Sequence, residues 1–580
     1  MPQSQTLIRG WRIWAVLVVF VLGAGYIAVH LFKLQVLQQP LFAKSAADRI
    51  TWTDTILPNR GVIRDSRGFL LAGNAVASDL YLSTSNRTDA DLHTIADLLG
   101  PILSQAPEDL YQQIKGETAT TQLLYRRLDS EAAARVLQLR NTWPVVRSAV
   151  WLEDQPRRDY PNGNFAAHIL GFADYDNHGQ YGVEQFYDDK LAGVPGSLTA
   201  ERDSQGYPLP LGDASQKQAI DGADLDLTID SAVQYMAERE LDTTLKQTGA
   251  GSGQILIMDP HTGAIVALAT SPRFDPNHYT DIAQDQYGIF KNPAVDDVFE
   301  PGSTFKILTY ASALDTGAIT PDTTYNSTGV FMAYGVPIYN SIKAGYGVET
   351  MREGLARSDN NAADFVADQL GEKKFYEYIK NFGMGQETGV DLAGEVAGLL
   401  AYPGDDGYSP VNLYTNAFGQ GLAVTPVQLI TAISAVANGG NLMKPYVVSR
   451  VSRNGQVLQE NKPTLVRRVI SPETARTITD MLSWAVDTTP AGQLAKVPGY
   501  STAAKTGTAQ IPGPNGAYDP NGTIASVIGF APAHDPKFVV LIRLDRPTSS
   551  QWGGETASPA FGRLAAQLFQ YWKIPPDEKQ

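Results

Sequence analysis

The chain opens with a long apolar run before it changes to shorter apolar stretches separated by turn signals. From Ile13 to Phe32 twenty residues pass without an Asp, Glu, Lys or Arg. A helix of that length rises about 30 Å, which matches the hydrocarbon thickness of a bilayer. The pattern predicts a membrane-spanning helix over residues 11–32 that follows a short tail of residues 1–10.

The charges around this run predict its orientation. Arg9 and Arg12 precede it and no acidic residue does, so the positive-inside rule places the tail in the cytoplasm and the rest of the chain outside. A cleaved signal peptide is the competing interpretation. The apolar run exceeds the usual 7 to 15 residues of such a peptide and lacks a small-x-small cleavage site, which favours an uncleaved anchor.

Residues 33–220 mix short apolar runs with Gly, Pro and Asn turn signals, and neither the helical nor the strand period dominates. This composition predicts an α+β module without concentrated catalytic residues. The polar stretch "LPLGDASQKQAIDGAD", residues 209–224, contains Gly and Pro and is predicted to be a linker. We therefore place a domain boundary near residue 220.

Residues 221–575 have clearer periodicity. Asp230 is a predicted N-cap for a helix whose apolar face is Val233, Met236, Ala237, Leu241 and Leu245. Two apolar runs joined by a Pro and Gly turn follow in "GQILIMDPHTGAIVALAT", and three more predicted strands and a closing helix lie after residue 500. The middle, residues 304–436, is predicted to be largely helical. The fold class is α+β, with an antiparallel sheet covered by helices.

Composition narrows the possible chemistry. The 580 residues are 43% hydrophobic and 18% charged, which is typical of a folded protein with more than one domain. A net charge of −15 disfavours nucleic acid as a partner. The chain has no cysteine, which excludes disulfides, a thiol nucleophile and Cys-ligated metals, and no His-Glu-x-x-His pair is present. We expect no metal and no cofactor.

A serine with a lysine three residues later is the first candidate catalytic pair. Ser303 and Lys306 in "EPGSTFKILTY" have the spacing that puts two side chains on one face of a helix. Taken alone, the motif is better explained as a capped helix start with a solvated lysine. A serine nucleophile needs a base, however, and a buried lysine that has lost its proton serves as one. None of the seven histidines lies in a Gly-x-Ser-x-Gly context.

Two further motifs have structural explanations when each is taken alone. Ser358 and Asn360 in "ARSDNNAADF" are typical helix caps, and Ser452 to Asn454 repeats the Ser-x-Asn pattern in a predicted hairpin turn. The only Lys-Thr-Gly begins at Lys505, and a strand that ends in a turn accounts for it. A phosphate-binding loop does not account for Lys-Thr-Gly, because that motif requires glycine at the position of Ala504.

Taken together and in order, "STFK", "SDN" and "KTGT" resemble the active-site motifs of penicillin-binding proteins and serine β-lactamases. The stretches "RGVIRDSRGFLLA", "YPNGNFAAHILGF", "GQYGVEQFYDDKLAG" and "DLDLTIDSAVQ" resemble the N-terminal module and domain junction of class B penicillin-binding proteins, the membrane-anchored D,D-transpeptidases. The resemblance runs from the anchor to about Leu568. It implies an N-terminal pedestal or dimerisation-like module at 33–220 and a β-lactamase-like transpeptidase domain at 221–575.

The resemblance also implies the role of each motif residue. Ser303 would be the acylated nucleophile, Lys306 its base, and Ser358 a proton relay. Asn360 would orient Lys306 and hold the substrate amide. Lys505 would keep Lys306 neutral and attract the substrate carboxylate, which the hydroxyls of Thr506 and Thr508 would also bind. Gly507 would leave room for the substrate backbone to pair along the strand edge. The N–H groups of Ser303 and Thr508 would form an oxyanion hole.

The implied reaction cross-links D-Ala-D-Ala stem peptides of peptidoglycan through an acyl-serine intermediate, with β-lactams as acylating inhibitors. "KTGTAQIPG" and "IGFAPAHDPKFVVLIRLDRP" resemble the division (septal) branch more than the elongation branch. Implied partners are lipid-linked nascent glycan, a SEDS-family glycosyltransferase, and other divisome or elongasome membrane proteins. The implied location is the bacterial cytoplasmic membrane. Alternatives are an elongation-type enzyme, a hydrolase whose acyl-enzyme reacts with water, and a non-catalytic penicillin-recognising sensor or scaffold.

Overall fold

A computed structural model describes residues 10–39, 51–117, 119–201, 214–513 and 517–578. Nearly all of the predicted tail and residues 209–213 of the predicted linker lie outside the described residues.

The described helices are α1 (Gly10–Phe32), α2 (Asp89–Leu103), α3 (Pro107–Gly116), α4 (Ser130–Thr142), α5 (Pro144–Ala149), α6 (Ala167–Leu170), α7 (Gly182–Phe186), α8 (Asp188–Leu191), α9 (Ser231–Thr248), α10 (Pro293–Asp296), α11 (Lys306–Asp315), α12 (Met351–Arg357), α13 (Asn360–Leu370), α14 (Glu372–Asn381), α15 (Asn412–Ala417), α16 (Pro426–Ala437), α17 (Pro472–Thr488), α18 (Pro490–Gln493) and α19 (Gly553–Tyr571). Lys33–Leu37 is π-helical, and three segments are 3₁₀-helical: Pro276–Asp281, Gln284–Phe290 and Gly302–Phe305.

The described strands are β1 (Thr51–Ile56), β2 (Ile63–Arg64), β3 (Leu70–Ser83), β4 (Thr121–Leu128), β5 (Val150–Asp159), β6 (Phe172–Ala173), β7 (Gly179–Gln180), β8 (Gly196–Glu201), β9 (Ala214–Lys217), β10 (Asp224–Leu227), β11 (Ser252–Met258), β12 (Ile265–Ser271), β13 (Thr324–Ser327), β14 (Val330–Ala333), β15 (Val336–Tyr339), β16 (Gly347–Thr350), β17 (Asn441–Met443), β18 (Val448–Arg453), β19 (Gln456–Glu460), β20 (Leu465–Arg468), β21 (Ala503–Pro512), β22 (Tyr518–Ala531) and β23 (Phe538–Asp545).

The N-terminal apolar run forms a continuous helix. Gly10–Leu37 is the one helix among the described residues that is long and apolar enough to cross a membrane, with a mean hydropathy of 2.4 and no buried side chain in its apolar window. An uncovered apolar helix of this length has no protein core to pack against. It fits the predicted membrane anchor.

The chain divides into two compact units. The smaller comprises Met1–Pro58 and Val194–Ile220, and the larger comprises Asn59–Gly193 and Asp221–Gln580. In the smaller unit β1, β8 and β9 form an antiparallel sheet. The prediction of a linker was therefore wrong for residues 214–217. The four residues, Ala-Ser-Gln-Lys, do not alternate between apolar and polar side chains, so the sequence carried no pattern that predicts a strand there.

A mixed sheet in the larger unit combines strands from both sides of residue 220. Its strand order is β19-β18-β10-β2-β3-β4, and β5 also pairs with β3. The short strand β2 runs parallel to β10, and β18 pairs antiparallel with the other edge of β10. The hairpin of β18 and β19 turns at Asn454 and Gly455, both with positive φ, which confirms the predicted turn there.

The second large sheet confirms the predicted antiparallel architecture. Its strand order is β12-β11-β23-β22-β21, with every pairing antiparallel. Helices α9 and α19 cover one face with a buried apolar cluster. Helix α9 begins where predicted, because the Asp230 side chain accepts the Ala232 N–H at 3.0 Å, and its face of Val233, Ala237 and Leu241 is buried. Strand β21 lies at the edge of this sheet.

The middle of the chain is helical around α11 to α16, as predicted, but it also contains two short strand pairs. Strand β13 pairs with β16, and β14 pairs with β15 through a turn at Tyr334 and Gly335. Both turn residues have positive φ, 51° and 86°. A two-residue turn of this kind suits a hairpin, and Tyr-Gly is a weaker signal for it than Asn-Gly or Asp-Gly.

A buried ion cluster supports the N-terminal part of the larger unit. Glu184 is fully buried and accepts hydrogen bonds from Arg60 Nε at 2.6 Å and Arg158 Nε at 2.7 Å. The Tyr160 hydroxyl donates to the same carboxylate at 3.0 Å. Burial alone would raise the pKa of Glu184, but the two guanidinium groups hold it below its usual value.

Candidate active site

The first motif forms a tight turn that leads into α11. Ser303 lies in the 3₁₀ segment Gly302–Phe305, and Lys306 begins the α-helix. Gly302 has φ +54°, and its N–H donates to Gly419 O at 3.0 Å. A Cβ at Gly302 would lie 3.0 Å from Thr508 O, so this position needs glycine for both its conformation and its close packing. The turn leaves Ser303 half-buried and Lys306 fully buried.

The second motif surrounds the Lys306 amine. Nζ donates to Ser358 O at 2.7 Å and to Asn360 Oδ1 at 2.8 Å, and it lies 3.5 Å from Ser358 Oγ. Ser358 ends α12 with φ +61°, and Asp359 caps α13 by accepting the Asn361 N–H at 2.9 Å. The predicted helix break therefore exists, and its geometry presents both a carbonyl and an amide oxygen to the lysine.

The third motif runs along the edge strand β21. Lys505 Nζ donates to Ser358 Oγ at 2.8 Å, so the Ser358 hydroxyl lies between two amines. Packing within the protein requires glycine at position 507, because a Cβ there would lie 2.5 Å from Ser526 Oγ and 2.9 Å from Thr304 Cγ2. Among the strands of the described residues, none pairs with the outer side of β21, and an extended peptide is able to pair with such an edge.

The three motifs thus meet in one cleft. The turn that carries Ser303 packs against β21, and the loop between α12 and α13 contacts both lysines. One expected contact is missing in this state: among the hydrogen bonds of the described residues, none joins Ser303 Oγ to Lys306 Nζ. Catalytic hydrogen bonds are often long before substrate binds and shorten in the complex.

Burial controls the charges in this cleft. It lowers the pKa of Lys306 to about 7, although Asp359 and Asp364 act in the opposite direction. The pKa of Lys505 is also lowered well below its usual value, first by burial and then by the neighbouring Lys306. Two ammonium groups on opposite sides of one hydroxyl are unfavourable, so the free cleft does not favour a double positive charge.

Several supporting residues were missed by the motif search. The Tyr325 hydroxyl donates to Asp359 at 2.6 Å, and Arg357 pairs with Glu349 at 2.5 Å behind the same loop. Asp364 is fully buried, and burial raises its pKa well above the usual value. The available signal in the sequence was that Asp364 lies one turn after Asn360, on the same face of α13.

The N-terminus of α19 also reaches the third motif. The Gly553 N–H donates to Thr508 Oγ1 at 3.1 Å, and a Cβ on Gly553 would lie 2.3 Å from Gly507 O. The hydroxyl of Thr508 is therefore held as an acceptor on one side, which leaves its proton to be donated elsewhere. In the sequence, the Gly553-Gly554 pair was the feature that indicated a close approach of this helix start to another part of the backbone.

Comparison with known proteins agrees with this geometry. The "Penicillin binding protein transpeptidase domain" matches residues 253–566, and the "Penicillin-binding Protein dimerisation domain" matches residues 55–227. Stage V sporulation protein D of Bacillus subtilis (strain 168) is 34% identical over 532 residues, which cover 90% of this chain and 80% of the relative. Peptidoglycan D,D-transpeptidase FtsI of Escherichia coli (strain K12) is 27% identical over 572 residues, covering 98% and 93%.

Solved structures give the same result. Penicillin-binding protein 3 from Mycobacterium tuberculosis, in complex with aztreonam, superposes with a TM-score of 0.69 at 26% identity, over 90% of this chain and 98% of that one. The dimerisation-domain match precedes the transpeptidase match along the chain, and the transpeptidase match includes all three motifs. The chain therefore belongs to the class B penicillin-binding proteins.

Proposed function

We propose that this protein is a serine D,D-transpeptidase that cross-links peptidoglycan stem peptides. Ser303 Oγ attacks the carbonyl of the penultimate D-Ala, and the bond to the terminal D-Ala breaks. The ester on Ser303 then reacts with an amine of a second stem, which forms the cross-link and regenerates the serine. The names of its relatives support this reaction, since one is a peptidoglycan D,D-transpeptidase and another is solved with a β-lactam.

The hydrogen bonds of Lys306 are the observation that supports its role as the general base. Its two short bonds go to acceptors, Ser358 O and Asn360 Oδ1, and they use the two N–H groups that a neutral amine has. The lone pair is then free to take the proton of Ser303, which lies one turn earlier on the same helix face. A pKa of about 7 makes the neutral form available at physiological pH.

Binding of the substrate carboxylate would determine which of the two lysines carries the positive charge. The terminal carboxylate of the donor would lie near Lys505, Thr506 and Thr508, and an opposite charge there raises the pKa of Lys505. Lys505 then becomes the cation of the pair, and its charge keeps Lys306 neutral. Backbone N–H groups of Ser303 and Thr508 would stabilise the oxyanion, a contribution of about 3 kcal/mol per donor.

Labelling with a fluorescent penicillin tests this proposal. We expect one covalent adduct on Ser303 of the full-length protein in detergent, and none on Ser303→Ala. Ser358→Ala should slow acylation at least tenfold, whereas Ser452→Ala, in the second Ser-x-Asn, should not change it. Labelling of Ser303→Ala would overturn the assignment of the nucleophile, and rapid hydrolysis of the wild-type adduct would indicate a β-lactamase instead.

We also propose the cellular setting from the sequence. The helix over residues 11–32 anchors a pedestal module (33–220) and a catalytic domain (221–575) outside the cytoplasmic membrane, because Arg9 and Arg12 favour a cytoplasmic tail. Its partners are nascent lipid-linked glycan and a SEDS-family glycosyltransferase. The resemblance to the septal branch supports a role in division. Depletion should block septation and leave elongation intact, and loss of side-wall growth would assign the elongation branch instead.

A further inference from the structure

A hairpin outside the three motifs holds the asparagine of the second motif. Strands β14 and β15 form this hairpin, and the residue that follows β15 is Asn340, which is 3% exposed. Asn340 Oδ1 accepts the backbone N–H of Asn360 at 3.1 Å and that of Asn361 at 3.2 Å, the second of which Asp359 also accepts. These N–H groups are the first two of α13, and they have no acceptor inside the helix. Asn340 therefore fixes the start of α13.

The carbonyl next to Asn340 fixes the side chain of Asn360. Asn360 Nδ2 donates to Tyr339 O at 3.0 Å, and Asn360 Oδ1 accepts from Lys306 Nζ at 2.8 Å. A side-chain amide has an acceptor at its oxygen and donors at its nitrogen, and a half-turn about its last bond exchanges the two. Because a carbonyl only accepts, Tyr339 O selects the orientation in which the amide oxygen faces Lys306.

The opposite orientation would block the proposed base. It would turn Asn360 Nδ2 toward Lys306, and an N–H group that points at a neutral amine donates to its lone pair. That lone pair is the group that takes the proton of Ser303 in the proposed mechanism. The flipped amide would also remove an acceptor that favours the ammonium form, which would lower the pKa of Lys306. The orientation of one amide thus determines whether Lys306 acts as a base.

The surrounding loop holds Asn340 in turn. Its Nδ2 donates to Ala344 O at 2.9 Å, and its backbone N–H donates to Gly329 O at 3.2 Å. Ile338, two residues earlier, is 7% exposed and packs into the main apolar core. With Nδ2 bonded to Ala344 O, the orientation of the Asn340 amide is also fixed, and its oxygen faces α13.

We propose that Asn340 is a positioning residue for the transpeptidase reaction. It holds the backbone of Asn360 beside Tyr339 O, and this carbonyl keeps Asn360 Oδ1 facing Lys306. Among the hydrogen bonds of the described residues, none joins Asn340 to Ser303 or Lys306, so its effect passes through Asn360. The inference rests on the proposed function, because it assigns Asn340 a part in the same proton transfer.

A double-mutant cycle tests this role. The rate constant of acylation by a fluorescent penicillin is measured between pH 5.5 and 9 on the full-length protein in detergent. The four proteins are the wild type, Asn340→Ala, Asn360→Ala and the double variant. We expect Asn340→Ala to lower the plateau rate at least tenfold and to move the midpoint of the pH profile below the wild-type value. In the Asn360→Ala background it should change the plateau less than twofold, because no amide remains to be oriented.

Two further variants separate positioning from stability. Asn340→Asp keeps an oxygen acceptor for both N–H groups, and a carboxylate is favourable at a helix N-terminus. It should keep the plateau rate within threefold of the wild type. Val336→Ala changes an exposed side chain on the same hairpin, and it should leave the plateau and the midpoint unchanged.

The outcomes are distinct. If the wild-type protein is not acylated, the proposed function itself fails. If the wild type is acylated and Asn340→Ala keeps the plateau within twofold, the positioning role is refuted. Equal losses in both backgrounds with an unchanged midpoint refute it too, because they indicate a general loss of structure. If Asn360→Ala is too slow to measure, the midpoint of Asn340→Ala and the plateau of Asn340→Asp decide. If Asn340→Ala does not fold, Asn340→Ser replaces it under the same limits, since a serine side chain is too short to reach both N–H groups.

Discussion

The pKa of Lys306 makes acylation depend on pH in a way that identifies the base. In the proposed mechanism only the neutral Lys306 amine takes the serine proton, so the acylation rate should follow the neutral fraction, which grows as pH rises. With a pKa of about 7, that fraction is roughly one tenth at pH 6 and nine tenths at pH 8. We expect the second-order rate constant of acylation to rise about tenfold over this range and then to level off.

An ordinary lysine gives a different profile. With the usual value of 10.5, the neutral fraction at pH 7 is only about one in 3,000, and the rate still climbs about tenfold from pH 8 to pH 9. With a pKa of about 7, the same interval adds about a tenth. Stopped-flow measurement with a fluorescent penicillin between pH 5.5 and 9 distinguishes the two. A rate that keeps rising tenfold per unit through pH 9 refutes a base with a pKa near 7, and with it the neutral Lys306 on which the proposed mechanism depends.

Further substitutions test the active-site cleft and the buried ion cluster. Asp359→Asn removes a charge that favours the Lys306 ammonium, so the midpoint of that pH profile should move below 7, and an unchanged midpoint contradicts the assignment. Gly507→Ala should slow penicillin acylation at least tenfold, measured by gel labelling, because Ser526 and the serine turn leave no room for a methyl group. Glu184→Gln should lower the free energy of unfolding by about 3–5 kcal/mol in denaturant titrations, whereas Asp189→Asn, in an exposed pair, should change it by under about 0.5 kcal/mol.

Local patterns were sufficient to predict much of the catalytic half. The N-cap of α9, the hairpin after it and the three final strands all followed from caps, turn residues and apolar periodicity. The resemblance of the three motifs, in order, to those of the penicillin-binding proteins implied that they form one cleft, whereas caps, turns and apolar periodicity needed no such resemblance. These are features that neighbouring residues determine, so a single sequence reveals them.

Long-range pairing could not be predicted in the same way. Strand β2 has only two residues, and nothing nearby in sequence shows that it pairs with β10 about 160 positions later. Strand β9 has no apolar face, and the hairpin of β14 and β15 turns on an uncommon Tyr-Gly pair. The role of Asp364 depends on burial next to Lys306, which becomes visible only after the helices have packed.

The mixed sheet constrains any shortened form of this protein. A chain that started at residue 221 would keep Ser303, Lys306 and Lys505, yet β10 would lose its parallel neighbour β2. The exposed backbone of β10 would then offer an unpaired edge to other molecules, and such edges promote aggregation. Soluble versions made for drug screening should therefore retain the chain from residue 51, which keeps β1 paired with β8 and β2 paired with β10.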